Sequence, residues 1–239
     1  MKILAIIPAR GGSKSIPLKN IRKLDGMPLV AHTIRSAKKA KKINRIIVST
    51  DSEKIAEIAK KYGAEIPFLR PKKFARDDSS TLDVVRHALQ FLEENENYVP
   101  DIVTILLPTS PFRPPNLIDK TINTLKNTNA TSVVSVHSAK LHPFKGFTFE
   151  KNFLKPFIRD HLKYYQRQKL PPLYHTTGAA YTFWNSTLKK YGHYYGPRMI
   201  PIISDDDKTN IDVDYIFDFF VAEMTSKYWK KYAVKLRKS

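Results

Sequence analysis

Four apolar runs, Ile3 to Ile7, Arg45 to Thr50, Asp101 to Leu107 and Thr131 to Val136, alternate along the chain with segments of helical period. Strands of this kind separated by helices form a parallel sheet covered by helices. Pro28 opens the first helix, where its missing amide does no harm, and Leu29, Thr33, Ile34 and Ala37 give that helix an inner face. Ser52 is expected to cap the second, in which Ile55, Ala59 and Tyr62 recur at helical spacing before Gly63 stops it. A third runs from about Ser80 with Val84, Val85, Ala88, Leu89 and Leu92 inward, and a fourth follows Pro114-Pro115. Gly178 to Trp184 reads as a further strand, and an amphipathic helix is expected from about Asp214. A chain of 239 residues suits one α/β domain spanning residues 1–239.

The first strand runs directly into a basic loop, Pro8-Ala9-Arg10-Gly11-Gly12-Ser13-Lys14, which continues through Lys19 and Asn20. It reads as a polyphosphate cradle, with Gly11-Gly12 turning amides inward and Arg10, Lys14 and Lys19 surrounding the concavity. It is neither of the usual nucleotide signatures. G-x-x-x-x-G-K-[ST] needs glycine before the lysine, where Ser13 stands, and G-x-G-x-x-G is absent. By itself, a basic Gly-Gly turn is also what an ordinary solvated loop looks like.

The formal charge of +19 invites a different function, binding to nucleic acid or another polyanion. Its distribution narrows that reading: residues 1–50 hold twelve Lys/Arg against Asp25 alone, and the basic C-terminal tail 225–239 holds six against none. Lys38, Lys39, Lys41 and Lys42 fall at a helix end, where cations favour the dipole. The tail interleaves its lysines with Tyr228, Trp229 and Tyr232, a pattern able to touch polyanions, but no recognised nucleic-acid motif accompanies it. The chain has no cysteine, which excludes disulfides and thiolate chemistry. No apolar run reaches membrane-spanning length and no signal peptide precedes the first strand, so a soluble cytoplasmic protein is expected. Residues 140–176, rich in aromatics, prolines and cations, show no sustained period and read as an excursion from the core.

Asp212 and Asp214 stand two apart on an extended segment, an arrangement that points both carboxylates one way and lets them share a hard cation such as Mg2+. Asp214 also precedes an apolar helical run, where an aspartate serves as an N-cap. The acidic run Asp205-Asp206-Asp207 is a weaker competitor, typical of a solvated turn.

Six segments in order resemble the acylneuraminate cytidylyltransferases: the Ala9 to Asn20 loop, Ile47 to Asp51, Leu69-Arg70-Pro71, Pro108 to Arg113, Arg167 to Pro171, and Ile211 to Asp214. The resemblance implies a nucleotide-diphospho-sugar transferase-like, Rossmann-like fold, mainly parallel, with 140–176 as a small arm that dimerises and reaches the partner's active site. It implies transfer of CMP from CTP to the anomeric hydroxyl of an acidic, sialic-acid-like ulosonate, with release of pyrophosphate. Related transfer to 3-deoxy-octulosonate or pseudaminic acid is the enzyme alternative, and a non-catalytic polyanion binder the alternative of another class. In this reading Arg10, Lys19 and Asp212 are catalytic. Ala9, Arg10, Gly11, Gly12, Ser13, Lys19, Asn20, Arg70, Ser79 and Thr81 bind nucleotide, and Asp212 with Asp214 binds Mg2+. Lys145 and Arg167 meet the sugar carboxylate, and Tyr181, Tyr194 and Tyr195 the sugar itself. Two positions depart from the family: Leu107 stands where glutamine is usual, and Thr177 where asparagine is usual. Losing two amides from the sugar pocket argues against N-acetylneuraminate itself. No histidine has the spacing of an obligatory base, although His175 stands where the family has arginine.

Overall fold

Strands that are apolar on both faces have to be covered on both, and they set the architecture. The computed structural model describes residues 1–164, 166–204 and 206–236. In chain order the elements are β1 (Ile3–Pro8), the short pair β2 (Lys23–Leu24) and β3 (Met27–Pro28), α1 (Leu29–Lys39), β4 (Arg45–Ser49), α2 (Glu53–Lys61), α3 (Thr81–Glu96) and β5 (Ile102–Ile105). There follow α4 (Leu117–Asn127), β6 (Ser132–Ser138), β7 (Phe147–Glu150), β8 (Phe153–Pro156), β9 (Tyr174–Trp184), α5 (Asn185–Tyr191), β10 (Met199–Ile203) and α6 (Ile216–Leu236). Six strands form one sheet in the order β10-β6-β9-β5-β1-β4. β1 pairs in parallel with β4 and β5, and β10 with β6, while β9 runs antiparallel between β5 and β6. The expected mainly parallel α/β sheet is therefore present.

Alternate residues of β1 enter two cores. Ile3, Ala5 and Ile7 pack on one face with Ile34 of α1 and Ile118 and Ile122 of α4. Leu4 and Ile6 pack on the other with Val85, Leu89 and Leu92 of α3 and Leu188 of α5. Among the described residues no helix is long and apolar enough to cross a membrane.

Some local expectations hold and others change. Ser80 caps α3, its Oγ accepting from the Asp83 amide at 3.1 Å and donating to Asp83 Oδ2 at 2.7 Å. Ser52 stands at the N-cap of α2 but makes no side-chain capping bond. Pro28 sits at the N-cap of α1, closing β3, rather than inside the first turn. β9 begins at Tyr174, four residues before the expected start, inside the segment assigned to the arm. β10 was not expected because Pro201 interrupts its apolar run; an edge strand tolerates that missing donor. The arm holds the hairpin β7-β8, whose residues are almost all exposed on both faces, so no alternation marks it in the sequence. α6 starts two residues later than expected and continues to Leu236, so most of the basic tail is its last turns. It is not simply amphipathic either: Phe219 and Ala222 are buried, while Ile216, Phe217 and Phe220 are exposed. Arg237, Lys238 and Ser239 lie outside the described residues, as does Asp205 of the acidic run.

One buried cation fastens the segment after β5 to the rest of the sheet. Arg113 donates from Nε to the Ala179 carbonyl, from Nη2 to the Leu107 carbonyl at 3.0 Å and from Nη1 to Thr33 Oγ1 at 3.3 Å. Burial pushes its pKa down to about 9, which leaves the group protonated at neutral pH. Arg113→Met would take this donor from the buried Ala179 carbonyl and leave the Leu107 carbonyl with only the 3.4 Å bond from Thr33 Oγ1, and a buried acceptor left without a partner costs about 1–3 kcal/mol. We expect a loss of about 2–5 kcal/mol in denaturant unfolding; a change within about 0.5 kcal/mol would show that the staple is dispensable.

Candidate active site

The cleft lies at the carboxyl ends of β1 and β5, where the chain order of the sheet reverses and open α/β sheets bind ligands. It encloses about 320 Å3 and is lined by Pro8, Arg10, Lys19, Asn20, Arg70, Phe74, Arg76, Asp77, Ser79, Thr81, Val84, Leu107, Pro108, Thr109, Asp212 and Asp214. Nine residues named from sequence for nucleotide, metal or sugar thus share one wall system.

The basic loop is shaped by its fixed ends. Ala9 donates its amide to the Ser49 carbonyl at 3.0 Å, and its side chain is buried. Gly11 is needed for room: a Cβ there would lie 2.9 Å from Ser52 Cβ. Its amide is spent on Asp51 Oδ1 at 2.8 Å, which corrects the expectation that it faces an anion. Ser13 Oγ accepts from the Ile16 amide at 3.4 Å, and Gly12 has open space around it. Ile16 is buried, and Asn20 ties the loop by donating Nδ2 to the Arg10 carbonyl at 2.9 Å. Lys19 Nζ reaches across to the Val213 carbonyl at 3.0 Å and Asp214 Oδ1 at 2.9 Å.

Arg70 is the most unusual group. Its amide is held by the Thr50 carbonyl at 2.7 Å, and its side chain is buried at the cleft wall. Among the described residues neither Nε nor Nη2 finds a hydrogen bond, and Asp51 Oδ1 lies 3.8 Å from Nη2. Desolvation pushes its pKa down, opposed by the charge of Asp51 and aided by that of Arg10. A buried, charged fork with idle donors is poised for an acceptor that the described residues do not supply. Beside it, Ser79 Oγ closes a turn between the Lys73 carbonyl at 3.2 Å and the Arg76 amide at 3.0 Å, while Thr81 begins α3. Capping therefore belongs to Ser80, which leaves Thr81 on the cleft.

On the acidic side Val213 is buried while Asp212 and Asp214 face the cleft, the alternation expected of an extended segment. Asp214 does not act as a helix cap; Asp218 Oδ2 accepts from the amides of Asp214 and Tyr215 at 3.0 and 2.7 Å. Asp212 opens to the cleft yet is ringed by protein atoms. Desolvation pushes its carboxyl above the usual carboxylate range against a hydrogen bond from Thr109, and the charge of Asp214 pushes the same way. A cation would relieve that mutual repulsion. No group of three or more His, Cys, Asp or Glu able to hold a metal occurs among the described residues. Two carboxylates fit Mg2+, which keeps phosphate oxygens and waters as its other ligands.

The sugar candidates divide. Leu107 lines the cleft and packs against the second core with Tyr194 and Tyr195. Tyr181 meets those two rings at 5.9 and 6.3 Å between centroids. Burial raises the phenol pKa of Tyr181 and of Tyr194. Thr177 is turned inward, its hydroxyl 2.7 Å from Ser135 Oγ and accepting from the Ala179 amide at 3.2 Å. Lys145 and Arg167 line a separate concavity of about 530 Å3 in the arm, with Lys140, His142 and Tyr174, and share no lining residue with the cleft. His175 pairs with His137 across β9 and β6, their rings 5.9 Å apart. Charged groups that went unassigned from sequence include Asp51, Arg76 and Asp77 at the cleft and the staple Arg113. Asp51 was legible in principle, since it follows β4 at the same sheet edge.

A sequence model of the family described as Cytidylyltransferase matches residues 4–219. The CMP-N,N'-diacetyllegionaminic acid synthase of Legionella pneumophila is 36% identical over 225 residues, covering 93% of this chain and 95% of its own. The N-acylneuraminate cytidylyltransferase of Escherichia coli O18:K1:H7 is 32% identical over 227 residues, covering 92% of this chain but 51% of its own. A solved CMP:2-keto-3-deoxy-manno-octonic acid synthetase complexed with CTP shares the fold, with a TM-score of 0.70 at 15% identity over 95% of this chain and 99% of that one. The chain belongs to the cytidylyltransferase family of nucleotidyltransferases.

Proposed function

We propose that the protein is a cytoplasmic, homodimeric, Mg2+-dependent enzyme that joins CMP from CTP to the anomeric hydroxyl of an acidic ulosonate and releases pyrophosphate. The observation that carries this reading is Arg70, a buried guanidinium with idle donors at the wall of a cleft that also holds Arg10, Lys19 and two carboxylates. Cytosine presents O2 and N3 as acceptors, which is what Arg70 lacks. Arg10 offers phosphate oxygens a planar fork, and Lys19 a point charge beside them. Asp212 and Asp214 would hold Mg2+, which when bound neutralises phosphate charge and favours attack at the α-phosphorus. The residues themselves orient the triphosphate and exclude water, the source of much of the rate in phosphoryl-type transfer.

The split of the sugar groups supports a dimer in which an arm completes another copy's cleft. Lys145 and Arg167 converge in the arm, away from the cleft of their own chain, and Phe149, Phe153 and Phe157 there are 81, 74 and 67% exposed. Leu107 offers the sugar an apolar contact instead of an amide. That favours a nonulosonate of the legionaminic type, as named for the Legionella relative, over N-acetylneuraminate. Pyrophosphate release measured with CTP across a panel of ulosonates tests this directly; turnover of N-acetylneuraminate above all others would contradict the Leu107 argument.

Arg70→Met is expected to leave the melting temperature unchanged or raised, because it removes a buried cation whose Nε and Nη2 lack hydrogen bonds and whose carboxylate neighbour Asp51 stands off at 3.8 Å, and to abolish the thermal shift given by CTP. A large loss of stability would make Arg70 structural instead. Asp212→Asn or Asp214→Asn is expected to cut turnover at least about a hundredfold with the fold intact, since a lost charged metal ligand removes several kcal/mol of stabilisation. Wild-type rates for both variants across a Mg2+ titration would remove the metal pair from the mechanism.

A further inference from the structure

One carboxylate in the cleft wall has no part in the proposed reaction, yet it holds two of the cations meant for phosphate. Asp77 Oδ1 lies 2.8 Å from Arg10 Nη1, and its Oδ2 lies 2.7 Å from Lys14 Nζ. Lys14 and Arg10 hold its carboxyl below the usual carboxylate range. The segment that carries it is anchored at both ends. Arg70 bonds to the Thr50 carbonyl at one end, and Ser80 caps α3 at the other. Between them, Ser79 folds the chain back on Lys73 and Arg76, so Asp77 stands at the outer turn of a strap across the basic loop.

We propose that Asp77 is a displaceable stand-in for a phosphate oxygen, which holds Arg10 and Lys14 over the cleft until a polyphosphate takes both cations from it. The pairs are exposed, Arg10 and Asp77 being 35 and 48% accessible, and exposed pairs are weak enough to exchange readily. The strap then moderates affinity for substrate and for pyrophosphate alike, keeping a strongly basic site from retaining its product. This rests on the polyphosphate reading of the cleft.

Calorimetric titration of inorganic tripolyphosphate at fixed ionic strength tests it with three proteins. Asp77→Asn is expected to bind about three- to tenfold more tightly than wild type, the loss of weak competing pairs. Asp78→Asn removes the same charge from a neighbour that makes no ion pair among the described residues, and is expected to change affinity by less than about twofold. Unchanged or weaker binding by Asp77→Asn, or equal gains in both variants, would overturn the strap alone. Failure of the wild-type protein to bind tripolyphosphate would overturn the cradle and the strap together.

Discussion

The charged groups of the cleft are aimed by a small apolar cluster that lies outside the two main cores. Ile16 from the basic loop, Val213 from the acidic segment, Leu24 and Leu29 from β2 and α1, and Phe219 and Ala222 from α6 pack together there. Val213 is the hinge: its amide donates to the Thr109 carbonyl at 2.8 Å, and its own carbonyl accepts from Lys19 Nζ at 3.0 Å. Full burial of an aliphatic side chain contributes about 1.5–3 kcal/mol, whereas surface ion pairs contribute about 0–1 kcal/mol, and Lys19–Asp214 is open to solvent on its Asp214 side, 55% accessible against 13% for Lys19. Packing, not salt bridging, therefore holds the basic and acidic walls at their separation. The ion pair is free to open for substrate without loosening the frame.

The cleft is left electrostatically incomplete. Arg70 is buried without hydrogen bonds for Nε or Nη2, a condition that costs at least about 1–3 kcal/mol in the free protein. Arg10 and Lys14 are balanced by Asp77 from an anchored strap, and the Gly11 amide by Asp51. Such a site gains from a ligand that brings both base acceptors and phosphate charge. In our proposal CTP is that ligand, and the instability of the free site is part of what gives it affinity.

Legibility from sequence followed burial and chain separation. β1, β4, β5 and β6 announced themselves because apolar residues fill both faces, and the loops at their ends marked the cleft. Arg10, Lys19, Asp212 and Asp214 were visible because each sits in the loop after β1 or on an alternating segment, whereas Arg70 was reached only through the resemblance. β7 and β8 were not, since exposure on both faces erases any period. β10 was hidden by Pro201, which only an edge strand accommodates. The roles of Asp77 and Arg113 depend on partners such as Arg10 and Ala179, more than sixty residues away along the chain, and no local pattern records them. Thr177 stands where the resemblance expects an asparagine of the sugar pocket, while β9 turns its hydroxyl toward Ser135, a contact no local pattern records.

The central claim is that a buried, unsatisfied Arg70 reads the base, and base discrimination tests it most directly. Cytosine offers an acceptor at N3, where uracil carries a hydrogen that would oppose the guanidinium donors. Dissociation constants for CTP and UTP, measured by calorimetry on the same protein with Mg2+, should differ at least about tenfold in favour of CTP, the value of one well-made charged hydrogen bond. Equal affinity for the two would mean that Arg70 does not meet the base, and the cleft would be a polyphosphate site without cytosine recognition.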